Sequence, residues 1–193
     1  MANQIWVALL NGPGQWTSHA TGAGQTSTST ASPGTIISPA PDYTIGQNTL
    51  ESGTLLRVTA WGKAVTGTTT ANATFALYYG GTAGNQLLLS AATQIGAVTT
   101  AQTVPWYYEA MIQVRTTGTS GTAMSYGALR MATAAAPAAT ASTAGGPFPL
   151  SAPATVTIDT TAASKTLVLS AWVSTATGSP SVTCDIFTLE DLS

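Results

Sequence analysis

The chain has 193 residues, of which 6% are charged and 44% hydrophobic, with five Lys/Arg, seven Asp/Glu and a formal net charge of −2. An ordinary soluble domain carries about 25% charged residues; here that share has passed to Thr, Ser, Ala and Gly, which suits pleated, half-exposed strand faces better than helices. The basic residues Arg57, Lys63, Arg115, Arg130 and Lys165 are scattered, which argues against nucleic acid binding, and the single cysteine, Cys184, excludes an intramolecular disulfide or a thiolate metal cluster.

In chain order, MANQIWVALLNGPGQW has no basic n-region, and its apolar run from Ile5 to Leu10 is too short for a signal sequence or a membrane span. The expectation is synthesis in a cytoplasm and no membrane partner. Residues 12–41 are dominated by Gly, Ser, Thr, Ala and Pro without helical period or long apolar alternation. Residues 1–41 are therefore expected to form an extended N-terminal arm. Ile5, Trp6, Val7, Leu9, Leu10 and Trp16 give it apolar anchors that a flexible tail does not need. They suit a partner-docking arm or a first strand of the body's own sheet.

From residue 42 to 193 the pattern is strand, turn, strand. Thr54 to Val65 alternates, with Leu56, Val58, Ala60, Gly62 and Ala64 on one face and Leu55, Arg57, Thr59, Trp61 and Lys63 on the other. Further strands are expected at Thr74 to Tyr79, Gln86 to Leu89, Tyr107 to Thr116, Ala123 to Met131, Ala154 to Thr160, Lys165 to Thr175 and Ser181 to Leu189. Gly-containing stretches such as TGTTTAN, GGTAGN, TTGTSGT and TATGSP separate several of them. In Tyr107 to Thr116 the inner set is Tyr108, Ala110, Ile112 and Val114, opposite Tyr107, Glu109, Met111, Gln113 and Arg115. The Ala-rich run MATAAAPAATASTAGGPFP is broken by Pro137, Pro147, Pro149 and Gly145-Gly146, and reads as a long loop. Regular short strands predict an all-β, two-sheet antiparallel sandwich of jelly-roll type, with an Ig-like sandwich as the other solution.

Catalysis has little to work with. Nucleophile-and-base chemistry needs a base held beside a Ser or Cys, but His19 lies in the Gly/Ser arm and Cys184 shares a strand face with Val182 and Ile186. The carboxylates Asp42, Glu51, Glu109, Asp159, Asp185, Glu190 and Asp191 show no spacing that singles out a catalytic pair. Asp159 and Asp185 suit ion pairs with Lys165, Arg57 or Arg130, and DTTAAS is an Asp-led turn. Nucleotide and metal motifs are absent from the sequence, so no catalytic, cofactor or metal residue is expected. Trp61, Trp106, Tyr107, Tyr108 and Trp172 remain open as core, glycan platform or interface anchors.

Three stretches carry more than periodicity: SGTLLRVTAWGKAVTGTTTANATFALYYGGTAGNQLL, VPWYYEAMIQVRTTGTSGTAMSYGALRM and TLVLSAWVSTATGSPSVTCDIFTLEDL. Spanning residues 51–192, they resemble a group of small jelly-roll virion proteins of tailed bacteriophages, most like head decoration (cement) proteins. That resemblance implies a structural protein of the capsid exterior, without enzyme activity or cofactor, assembled in the host cytoplasm. Its implied partners are the major capsid protein and copies of itself, often as a trimer, with an arm reaching across the shell. On this expectation Ile5, Trp6, Val7, Leu9, Leu10 and Trp16 contact the capsid, and Arg57, Trp61, Lys63, Trp106 and Tyr107 form a subunit interface. Similar jelly rolls occur in tail fibres and receptor-binding tips, so a module binding host-surface glycan is the alternative.

Overall fold

A computed structural model describes residues 17–21, 25–38, 43–80, 86–95, 100–131, 148–149, 154–162 and 164–193. Among them there are strands and turns and no α-helix. The strands are β1 (Thr17–Thr21), β2 (Thr26–Ser27), β3 (Thr35–Ile36), β4 (Tyr43–Gly46), β5 (Leu55–Val65), β6 (Ala71–Tyr79) and β7 (Leu87–Ile95). They continue with β8 (Thr103–Thr116), β9 (Gly121–Met131), β10 (Phe148–Pro149), β11 (Ala154–Ile158), β12 (Ser164–Val173) and β13 (Ser181–Asp191).

They form two antiparallel sheets. The first runs β1-β13-β5-β8-β9-β10, with β2 also on β13 and β11 also on β9; the second runs β3-β12-β6-β7, with β4 also on β12. The chain enters the first sheet with β1 and β2, crosses to the second with β3 and β4, and returns with β5. It crosses again for β6 and β7, comes back for β8 to β11, and finishes with β12 in the second sheet and β13 in the first. This alternation is jelly-roll order, in which each sheet is built from strands distant in sequence. Strands β9 to β11 extend the first sheet beyond that frame.

The core lies between the sheets. Leu56, Val58, Ala60, Trp106, Tyr108, Ile112, Leu129, Phe187 and Leu189 from the first sheet meet Phe75, Leu77, Tyr79, Leu167, Leu169 and Val173 from the second. Period-two alternation accounts for it, since one face of each strand is apolar and the other polar or mixed. The long strands form where the sequence predicts, with ends moved by a few residues; β7 runs on to Ile95 rather than ending at Leu89.

In the N-terminal region the described residues take the second of the two expected forms, strands of the body's own sheets. Residues 17–21 pair with Ile186 to Glu190, and residues 26–27 with Thr183 and Val182, so β1 and β2 together line the open edge of β13. β3 and β4 then line the open edge of β12. The described part of residues 1–41 thus supplies edge strands of the sandwich itself. Between the sheets the crossover is tied down by side chains and backbone. Ser27 Oγ donates to the Ala171 carbonyl at 2.7 Å, Val173 N donates to the Ser29 carbonyl at 2.8 Å, and Ser170 Oγ donates to the Pro33 carbonyl. Gly34 sits at φ +79°, with its missing Cβ aimed into the Ala171 carbonyl, so a side chain fits there neither conformationally nor sterically.

Candidate interaction surface

The outer face of the first sheet is built by four long strands whose register sets the side chains in rows. One row runs Glu190, Arg57, Met111, Tyr126; the next Thr188, Thr59, Glu109, Ala128; the next Ile186, Trp61, Tyr107, Arg130. Thr183, Lys63 and Pro105 follow. These rows hold Arg57, Lys63 and Arg130 with Glu109 and Glu190. Trp61 is 39% exposed, Ile186 39% and Tyr126 55%, and these are three of the four exposed large hydrophobic side chains among the described residues. The fourth, Leu87, is on β7.

Trp61 and Tyr107 touch, with ring centroids 5.2 Å apart and planes tilted by 47°. Arg57 Nε donates to Glu190 Oε2 at 2.6 Å in a partly exposed ion pair. Burial raises the Tyr107 hydroxyl above its ordinary pKa; the charge and hydrogen bond of Glu109 add to this, and Arg130 and Arg57 pull it back. Arg57 and Glu190 are thus paired within this face, and Glu109 is hydrogen-bonded to Tyr107.

Of the residues expected at a subunit interface, Arg57, Trp61, Lys63 and Tyr107 lie on this face, and Trp106 does not. Trp106 is 3% exposed, packs against Phe75 across the core with centroids 4.8 Å apart, and donates its Nε1 hydrogen to the Thr183 carbonyl at 3.2 Å. The correction follows from strand parity: adjacent residues point to opposite faces, so Trp106 and Tyr107 cannot both face outward. The indole lies over Gly62, where a Cβ would come within 2.6 Å of its Cζ2. Ile5, Trp6, Val7, Leu9, Leu10 and Trp16 lie outside the described residues.

The second correction concerns Ile186. The pairing of β13 with β5 matches Cys184 to Gly62 and then Ile186 to Trp61, so Asp185 is an extra residue that shifts the register. This β-bulge keeps Val182 and Cys184 in the core and turns Ile186 outward beside Trp61. Tyr126 is the other residue that the sequence reading did not single out; its parity with Met124 and Arg130 in β9 is the available signal.

The expected ion pairs form differently. Arg57 takes Glu190, whereas Asp159 Oδ1 accepts from Thr161 N at 2.9 Å and Thr161 Oγ1 at 2.8 Å, holding the turn after β11. Those hydrogen bonds, with Lys165 nearby, lower its pKa. The Cys184 thiol is buried, and burial, helped by Asp185, pushes it up to about 12, which removes its nucleophilicity near neutral pH. The backbone of His19 pairs with Thr188 in β1. Among the described residues no group of three or more His, Cys, Asp or Glu is placed to hold a metal, and no helix is long and apolar enough to cross a membrane.

The arrangement offers contact area, a tilted aromatic pair and an ion pair. No family model, curated protein or solved structure matches the chain.

Proposed function

We propose that this protein is a structural decoration protein that binds the outside of a tailed-phage capsid and stabilises it, with copies meeting through the outer face of the first sheet. The resemblance of residues 51–192 to phage jelly-roll virion proteins supplies the virion context. The observation that carries the self-contact is the concentration of Trp61, Ile186 and Tyr126 on one face of an otherwise Thr/Ser-rich molecule. Such a clamp works without chemistry, because modest contacts repeated over many copies sum to strong retention. In this reading residues 5–16 contact the major capsid protein, and the resemblance implies a trimer. The test is cryo-EM of particles incubated with full-length protein and with a variant lacking residues 2–16. Full-length protein appears on the head, and the shortened one folds but leaves the head bare; density confined to the tail, or normal decoration by the shortened protein, overturns the head or arm assignment respectively.

A second reading, a tail module that binds host glycan, is favoured by the exposed Trp61 against half-buried Tyr107, beside Glu109 and Arg130. Binding to host cell-wall polysaccharide that is lost in Trp61→Ala selects it. Trp106 is unsuitable for that test because its removal hollows the core.

A further inference from the structure

We infer that β1 is a detachable strap: residues 17–21 leave the edge of β13 and return to it while the rest of the sandwich stays closed, pivoting where the ladder breaks between Thr21 and Thr26. The opening of β1 stands on the fold alone. The use given to it below rests on the reading of residues 5–16 as the capsid contact.

Register shows the break. β1 sets Thr17 opposite Glu190 and Thr21 opposite Ile186. An unbroken ladder would then bring residue 24 opposite Thr183, but Thr26 stands there, so the chain carries two surplus residues between the two strands. On the β13 side the break falls at Cys184 and Asp185, where the pairing with β5 is also shifted by the bulge. Gly22 and Gly24 lie in this link, and glycine turns the backbone at little steric cost. β1 and β2 are therefore separate pairing units on one edge.

The edge strands also differ in what holds them. Opposite Phe187 and Leu189, both fully buried in the core, β1 places Ala20 and Ser18. The whole strand, TSHAT, has no large apolar side chain, so its attachment is a backbone ladder. The segments that follow have anchors. Ser27 is fully buried and donates to the Ala171 carbonyl, and Ile37 is fully buried in the core. Ser38 Oγ accepts from Leu169 N at 3.2 Å, and Ile45 is 3% exposed. Each of these must leave the interior before its segment moves.

Ordering five backbone residues costs entropy of the same order as their ladder hydrogen bonds return, because those bonds replace bonds to water. With so little apolar area buried to tip the balance, β1 belongs to the low-stability end of local openings. Lifting it leaves the core shut, since β13 keeps its ladder to β5 from Ser181 to Asp191.

The strap sets the reach of the arm. With β1 closed, the chain before Thr17 departs from the body beside Glu190. With β1 open, residues 17–25 join it and add about 30 Å of extended chain. One seat of the body on the shell can then serve arm contacts at different distances.

The test is native-state amide hydrogen exchange on the full-length protein, read by NMR, together with a clamped variant. The amides of residues 17–21, and those of residues 186–190 turned toward them, should exchange together. They should do so at least about 100-fold faster than those of Ile37 and Val173, which bond the Leu169 and Ser29 carbonyls. Protection in β1 equal to that of Ile37 overturns the strap, and so does a graded rise from Thr17 to Thr21, which is fraying from one end. The clamp is Thr17→Cys with Glu190→Cys, an opposed pair far from the pivot, and the buried native Cys184 does not compete for the bridge. Oxidised, the clamped protein should protect residues 17–21 to the level of Ile37 and bind heads at least about ten-fold less than the same protein reduced, which controls for the loss of Arg57's partner. Oxidised protein that binds heads as well as reduced protein overturns the role in reach. Wild type that opens β1 but never binds heads overturns the decoration reading and leaves the strap standing.

Discussion

At the scale of single residues, the two adjacent aromatics of β8 and the tryptophan of β5 have separable roles. Trp106→Ala removes a core side chain that bridges the sheets and is expected to cost about 3–5 kcal/mol in denaturant unfolding, while Trp61→Ala stays within about 1 kcal/mol because its side chain is already partly in solvent. Gly62→Ala drives a methyl into the Thr183 carbonyl and the Trp106 ring, and should cost about 1–3 kcal/mol or more by overpacking. Tyr108 presents the opposite case. Its ring is fully buried and its hydroxyl finds no hydrogen-bond partner among the described residues. Tyr108→Phe therefore removes a desolvated polar group at nearly constant shape, and equilibrium unfolding should show it stabilised by about 1 kcal/mol; a loss of similar size would mean that the hydroxyl is satisfied.

At the scale of elements, the bulge in β13 governs what the sandwich shows to the outside. Deleting Asp185 leaves Cys184 opposite Gly62 and Ile186 opposite Trp61 as consecutive residues on their present faces, so the variant should stay folded, with dispersed amide resonances and Ile186 still outward; a collapse of that dispersion would mean that the bulge itself is needed for the strand's path. How much of this was legible follows from what alternation can carry. In β5 and β8 the period-two pattern assigns inner and outer residues as found, since every inner position is apolar or glycine while the outer positions are mixed. In β13 it fails at Asp185, because an inserted residue leaves no trace in composition while reversing every assignment after it. β1 to β4 were invisible for another reason. They are two to five residues long and built mostly of Thr, Ser and Ile at the sheet edges, where one-sided packing leaves no alternating signature. The placement of Trp106 was readable in principle, by the same parity that sends Tyr108 inward; residue type outweighed position in that expectation.

At the scale of the molecule, low charge sets the response to solution conditions. With 6% charged residues and Arg57 to Glu190 as the ion pair among the described residues, melting temperature should move little between low and physiological salt. Alkali is different. The Cys184 thiol moves from 9.0 to about 12 on folding, and the Tyr79 hydroxyl from 10.0 to about 12, in both cases mainly by burial. Tyr108 shifts upward for the same reason. Raised folded values mean that the unfolded chain releases these protons first. Their contribution is whole below pH 9 and is lost as pH rises toward about 12. Urea titrations across that range should show a plateau followed by a steady fall; a stability that rises above pH 10 would contradict the burial of these groups.

The lining of β13 by β1 and β2 bears on how the chain comes into being. Thr17 pairs with Glu190, so the first described strand closes against the last one. A nascent chain still held on the ribosome before Ser181 has emerged lacks β13, which lies between β1 and β5 in the first sheet. Translation alone cannot complete the sandwich from its N-terminus: residues 17–46 must wait for the final strands while their eventual neighbours remain unpaired. Folding is then a late, whole-chain event with high contact order, slow by comparison with locally paired domains. The scarcity of charge makes that waiting interval the period in which such a chain is most exposed to pairing with the wrong strand.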